Sequence, residues 1–181
     1  MADRKGDVVR ALDMAELRAR RTELVALIAD AVDGGASVGY VLPHSTADYV
    51  RLWDDVALAV NTGECAVLVC ERDGRIVGTV QFAPCDKPNG RHRAEVRKLL
   101  VLREMRGEGI GARLMREVEA FATRRGHRLL VLDTRADSEA DHLYRKLGWQ
   151  AFGNVPDYAS DPDGTLAECV FFFKRCGEDS R

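Results

Sequence analysis

The stretch Arg106-Gly107-Glu108-Gly109-Ile110-Gly111 constrains this chain more than any other. It stands between an apolar, strand-like run, Leu99-Leu100-Val101, and Ala112-Arg113-Leu114-Met115, which opens an amphipathic helix. Glycines at 107, 109 and 111 give the backbone turn dihedrals that a Cβ would disfavour, and they let a ligand approach closely. The first amides of the following helix lack internal partners and carry the positive end of the helix dipole. A strand, a glycine turn and a helix in that order suit a pyrophosphate.

The flanking elements follow from periodicity. Val8-Val9-Arg10-Ala11-Leu12 reads as a first strand. Leu17, Leu24, Leu27, Ile28 and Ala31 recur at helical spacing over 14–32, and Asp33-Gly34-Gly35 ends that helix. Ser45 or Thr46 caps a second helix reaching about Val60, with Tyr49, Leu52, Trp53, Val56 and Val60 as its apolar stripe. Residues 65–70 and 76–82 form a hairpin around Asp73-Gly74. The strand over 93–102 alternates at first, placing Glu95 and Val96 on opposite faces, and is then continuously apolar. After the glycine turn, Leu114, Val118, Phe121 and Ala122 give a helix its inner face. Residues 128–133 form a buried strand, 138–147 a short helix, and Gly148-Trp149 opens another strand. A polar loop, Asn154 to Gly164, precedes a last strand, Ala167 to Lys174. The order β-α-α-β-β-β-α-β-α-β-β joins an antiparallel meander to a β-α-β crossover, an α+β class.

Length and composition narrow the function. At 181 residues, one domain over 1–181 is expected, with 175–181 as a frayed tail. A formal net charge of −2 favours neither nucleic acid nor an acidic membrane as an obligate partner. Met1-Ala2-Asp3-Arg4-Lys5 lacks the apolar core of a signal peptide, and no run approaches the roughly 20 apolar residues of a membrane span. Cys65, Cys70, Cys85, Cys169 and Cys176 are odd in number and form no C-x-x-C pair, so free thiols in a cytoplasmic setting are expected. His44, His92, His127 and His142 show no metal-ligand spacing, and no metal is expected.

Three readings of the glycine turn compete. A nucleotidase-type phosphate loop needs Lys-Ser or Lys-Thr after the glycines, which is absent. A dinucleotide fingerprint needs G-x-G-x-x-G, whereas Gly107-x-Gly109-x-Gly111 lacks the last spacing and Asp133 comes too late for the ribose. Tight strand–helix packing alone is the third. The flanks separate them. Leu99-x-Val101 followed by Arg106-x-x-Gly109-x-Gly111 resembles the acetyl-coenzyme A motif of the GNAT family, the Gcn5-related N-acetyltransferases. Leu143-Tyr144-Arg145-Lys146-Leu147-Gly148-Trp149 resembles that family's second signature, Leu-Tyr-x-Lys-x-Gly-aromatic. Shorter matches between about Gly34 and Lys174, among them Lys87-Pro88-Asn89-Gly90, Arg93-Ala94-Glu95-Val96, Leu132-Asp133-Thr134 and Pro162-Asp163-Gly164, look like the tabtoxin-resistance members. Those members inactivate a β-lactam amino-acid toxin. Arg103 and Asp137 depart from the family's common proline and asparagine.

The resemblance implies a GNAT fold, a central mixed and mostly antiparallel sheet with flanking helices. It implies acetyl transfer from acetyl-CoA to an amine or hydroxyl of a small amino-acid-like acceptor by direct attack. Main-chain groups of Arg106, Gly107, Glu108, Gly109, Ile110, Gly111 and Ala112 would hold the pyrophosphate. Backbone groups of Leu99, Leu100 and Val101 would lie along the pantetheine arm, with the Leu100 amide aimed at the thioester oxygen. Tyr144 is the candidate general acid, a phenol that still holds its proton at neutral pH. Glu95 and Asp133 are candidate bases for an ammonium acceptor, or ligands that hold it. Tyr40 and Trp53, and Asp157 and Tyr158, are candidate acceptor contacts. A homodimer is suggested by resemblance alone. A peptide amino-terminal or polyamine acetyltransferase, and a non-catalytic acyl-CoA sensor, remain open at this point.

Overall fold

The computed structural model describes residues 6–177. Along the chain lie β1 (Val8–Leu12), α1 (Met14–Ala19), α2 (Arg21–Asp33), α3 (Thr46–Thr62), β2 (Ala66–Arg72), β3 (Arg75–Pro84), β4 (Arg93–Val101), α4 (Ile110–Arg124), β5 (Leu129–Arg135), α5 (Glu139–Lys146), β6 (Gln150–Ser160) and β7 (Leu166–Arg175). The strands make one sheet of order β1-β2-β3-β4-β5-β7-β6, antiparallel throughout except for the β4–β5 pair. The expected α+β class holds.

Local chemistry sets most boundaries. Asp73 and Gly74 both take positive φ (50° and 77°), as a two-residue hairpin with the right-handed strand twist requires. Ser45 and Asp48 form a capping box at the start of α3, and Gly63 ends it at φ 80°.

Three expectations need correcting. The helix expected over 14–32 is two helices that break at Arg20. Asp13 and Glu16 box the short first helix, while the Arg20 guanidinium donates to Glu71 at 2.7 Å and to the Gly74 carbonyl at 2.8 Å. Those tertiary bonds turn the chain, and no glycine or proline marks the break. The polar loop expected from Asn154 is strand as far as Ser160, with register shifts after Ala151 and Val155. Its polarity reflects an exposed sheet edge. β7 runs on to Arg175, and the Cys176 amide donates to the Arg128 carbonyl at 2.9 Å, so the expected frayed tail begins later. Residues 178–181 of that tail lie outside the described residues.

β3 is buried from Ile76 to Ala83 because helices cover both its faces. Gly78 and Phe82 face α4, and Phe82 meets Phe121 edge-on at 5.4 Å. α2 packs on the other face, with α3 beyond it. The feature that shapes the site lies one strand further on. β4 and β5 pair only from Arg93–Leu129 to Glu95–Val131. Past that level β4 stays with β3 and β5 with β7, so the central strands part. On β4 an extra residue enters the ladder, where Lys98 takes φ 50°.

Gly78 lets α4 approach the sheet closely. A Cβ there would lie 3.0 Å from both the Leu100 carbonyl and Leu114 Cδ1, and 3.1 Å from Ile110 Cγ2. Gly78→Ala is therefore expected to cost about 1–3 kcal/mol, read as a lower midpoint in thermal or urea unfolding.

Candidate active site

The glycine turn is held open at the free end of β4. Gly107 and Gly109 take φ 77° and 85°, and nothing lies within 4 Å of a Cβ placed on Gly107. Gly109 caps α4, and the first helical amide bonded back is that of Arg113, to the Gly109 carbonyl at 3.0 Å. The amides of Ile110, Gly111 and Ala112 belong to the first turn, where no carbonyl four residues earlier serves them. Two ion pairs brace the turn, Glu108 with Arg72 at 2.6 Å and Arg106 with Glu139 at 3.6 Å. Gly111 has a packing role as well. Its Cβ would lie 3.2 Å from Leu143 Cδ2, so it lets α5 approach α4.

The structure corrects which strand amides face the gap. The Leu102 amide donates to the Val77 carbonyl at 3.0 Å, and the pairing continues as Gly78–Val101 and Thr79–Leu100. Because hydrogen-bonded and non-hydrogen-bonded pairs alternate, Leu100 is turned toward β3 like Leu102. Its amide is committed to the sheet. Val101 turns its backbone N–H and C=O the other way, toward the gap, and Leu99 shares its parity.

Tyr144 sits on α5, whose cap Ser138 accepts from the Asp141 amide. The residue is 5% exposed and packs against Phe172 (5.8 Å) and Trp149 (6.0 Å). The indole of Trp149 donates to Glu119 at 2.8 Å, which fixes that wall. Burial, with the nearby Asp133 carboxylate adding to it, pushes the Tyr144 phenol well above its usual value. It is protonated across the neutral range and is a weaker acid than a free phenol.

The two carboxylates share a face. Glu95 pairs with Val131, and Asp133 is the next residue of the same parity on β5. Arg97 follows Glu95 on that face and donates to it at 2.5 Å. Asp133 is open to water yet set close enough to protein that burial raises its pKa, and the negative charge of Glu95 raises it further. Opposite Asp133 stands Phe171, with the Tyr158 ring 4.9 Å away.

The segment between α2 and α3 bridges this face to the β6–β7 turn. The Ser37 hydroxyl donates to the Ser160 carbonyl at 2.9 Å, the Leu42 amide to the Pro162 carbonyl at 2.8 Å, and the Lys98 ammonium to the Val38 carbonyl. Tyr40 lies on this bridge, its ring 4.8 Å from Tyr49 and its hydroxyl donating to the Asp48 carbonyl at 3.4 Å. Trp53 is 1% exposed, a core side chain whose Nε1 has no partner. Asp157 occupies the β6 irregularity at φ 54°. Arg97, Lys98 and Phe171 were not singled out in the sequence. Alternate residues of Phe171-Phe172-Phe173 carried a signal, since a period of two puts 171 and 173 on one face.

A family model described as the acetyltransferase (GNAT) family matches residues 36–149, more than half of the chain. This chain belongs to the GNAT acetyltransferase family. N-acetyltransferase 8B of Homo sapiens is 39% identical to it over 87 residues, 47% of this chain and 38% of that protein. The chain thus spans about two fifths of the length of the curated relatives it matches. Ribosomal-protein-alanine N-acetyltransferase from Brucella melitensis superposes with a TM-score of 0.74 at 25% identity, covering 93% of this chain and 99% of that one. A phosphinothricin acetyltransferase from Sinorhizobium meliloti, solved with acetyl-CoA, superposes with a TM-score of 0.75 at 20% identity, over 97% and 91% of the two chains. The mixed sheet is the GNAT fold. These relatives do not show the closer resemblance to tabtoxin-resistance enzymes. Among the described residues of this GNAT chain, no helix is long and apolar enough to cross a membrane. Nor do three His, Cys, Asp or Glu side chains there group to hold a metal.

Asp133 makes a signed prediction. The folded state holds its proton more tightly than the unfolded chain, so the carboxyl costs stability as pH rises above the ordinary value of 3.8. Asp133→Asn is expected to raise the melting temperature at pH 7, and the gain should vanish at about pH 3, where both states are protonated. An identical gain at both pH values would remove the electrostatic cause.

Proposed function

We propose that this chain transfers the acetyl group of acetyl-CoA to the amine of a small, amino-acid-like acceptor by direct attack. The observation that carries the reading is the parting of β4 from β5, with the glycine turn at one end of the gap, Tyr144 beside it, and Glu95 and Asp133 on the opposite face. Open space at Gly107 and the first-turn amides of α4 fit a pyrophosphate. The gap-facing backbone of Val101 and Leu99 fits an extended pantetheine arm. Acetyl-CoA supplies the activated acyl carbon, and every other part falls to this chain.

The Val101 amide replaces Leu100 as the candidate donor to the oxygen on which charge develops, a role worth about 3–4 kcal/mol of barrier elsewhere. Asp133, its pKa raised, is the better placed of the two carboxylates to take a proton from an ammonium, directly or through water. Glu95, braced by Arg97, holds the cation beside it. Tyr144 serves the departing sulfur. Full transfer from a raised phenol to a solvated thiolate near 8.5 is uphill, so its contribution is a hydrogen bond that strengthens as charge gathers on sulfur in the same dry surroundings.

A β-lactam amino-acid toxin is one acceptor within this class, supported by the short sequence matches between about Gly34 and Lys174. A cytoplasmic setting is supported by five unpaired cysteines. A homodimer is supported by β6, an exposed edge strand of eleven residues.

Release of CoA thiol from acetyl-CoA with a panel of amines and amino acids tests the proposal; binding without turnover on any acceptor would overturn it in favour of a sensor. Tyr144→Phe is expected to lower kcat by about 10²–10³-fold, the usual cost of losing one hydrogen-bond donor to a developing charge, while acetyl-CoA affinity changes little. Wild-type turnover in that variant would take Tyr144 out of the chemistry. Glu95→Gln should raise KM for a cationic acceptor more than it lowers kcat, measured by initial rates at pH 7.

A further inference from the structure

The face that carries Glu95 and Asp133 continues along β5. Residues opposite one another in paired strands share a face, so Val131 and Leu129 extend it, with Phe173 and Arg175 as their β7 partners. An aromatic stripe follows the same line. Phe171, opposite Asp133, lies 6.0 Å from Phe152, and Phe152 lies 6.0 Å from Phe173. The stripe leads into an open groove of about 540 Å³ floored by Leu129, Val131, Phe152 and Phe173. That volume falls in the range of small-molecule sites. Phe152 is 61% exposed on its floor.

The two ends of this path carry opposite charge. Glu95 and Asp133 stand at one end. Arg128, Arg175 and His92 line the groove at the level of Leu129, two residues beyond Val131. Neither arginine has an acidic partner among the described residues. With a strand rise of about 3.3 Å per residue, the cationic end lies about 7 Å from the level of Glu95 and about 13 Å from Asp133. A single α-amino acid is too short to join them.

We propose that the acceptor is an elongated amine with a distal carboxylate. Its ammonium is held by Glu95 and Asp133, its apolar or aromatic body lies over Phe173 and Phe152, and its carboxylate reaches Arg175 and Arg128. This inference rests on amine acetylation at the neighbouring site. Continuity with that site and the charge at each end select this occupant over a second copy of the chain.

The test compares 4-(aminomethyl)benzoate, benzylamine and glycine as acceptors with acetyl-CoA, alongside calorimetric binding of 4-(aminomethyl)benzoate to the full chain. The benzoate is expected to exceed both others in kcat/KM by about tenfold or more. The double variant Arg128→Ala/Arg175→Ala should erase its advantage over benzylamine and weaken its binding to a similar degree. Equal kcat/KM for the benzoate and benzylamine, or a preference that survives loss of both arginines, would overturn the groove assignment while leaving amine acetylation standing. Binding that depends on the arginines with no amine acetylated would refute acetylation and keep the groove. A concentration-dependent dimer that Phe152→Ser abolishes, with benzoate binding unaffected by that change, would give the groove to a second copy and overturn the proposal.

Discussion

The early end of the β4–β5 ladder is the constraint on which the rest depends. Two central strands that part after Glu95–Val131 leave backbone donors and acceptors facing each other across a space too wide to pair. Such groups are costly to bury unsatisfied, so a gap of this kind must be filled by water or by something with its own amides. The fold keeps the gap open by binding each strand firmly on its outer side, β4 to β3 over six register pairs and β5 to β7 over seven. The bulge at Lys98, three residues past the last β4–β5 pair, adds a local kink to β4 beyond the point where the ladder stops.

The chemistry is divided by the sheet. One face carries α4, α5 and Tyr144, where burial dominates and raises the phenol. The other face carries Glu95, Arg97 and Asp133, which remain open to water and interact through charge. A group passing between the strands therefore meets a dry hydroxyl on one side and solvated carboxylates on the other. The glycine turn takes no part in that division. It lies at the far end of the gap, where ion pairs from Glu108 and Arg106 hold it to β2 and α5.

Features whose causes are local in sequence were legible. The hairpin at Asp73-Gly74, the Ser45 cap and the glycine turn each follow from side chains within a few residues. Features whose causes lie across the sheet were not. Nothing near Arg20 announces a helix break, because the bonds that make it reach Glu71 and Gly74. The length of β6 was hidden because an edge strand of polar residues looks like a loop until its partner is known. The aim of the Leu100 amide depended on strand parity, which the bonding of Leu102 to Val77 decides and the sequence does not display. Glu95 and Asp133 were found as separate residues, and only register puts them on one face with Arg97 and Phe171.

Lys98 belongs to both halves of the molecule. Its left-handed backbone sits at the bulge of β4 just past the parting of the strands, and its ammonium, its pKa lowered chiefly by burial, donates to the Val38 carbonyl on the segment joining α2 to α3. The same residue thus links the bulged stretch of β4 to the segment that walls the opposite face. The 36–42 segment is held in its path by main chain and side chain alike, through the Val38 carbonyl, the Leu42 amide, the Ser37 hydroxyl and the Tyr40 ring. A substitution that loosened any one of these ties would shift this wall while the paired core of the sheet stayed as it is.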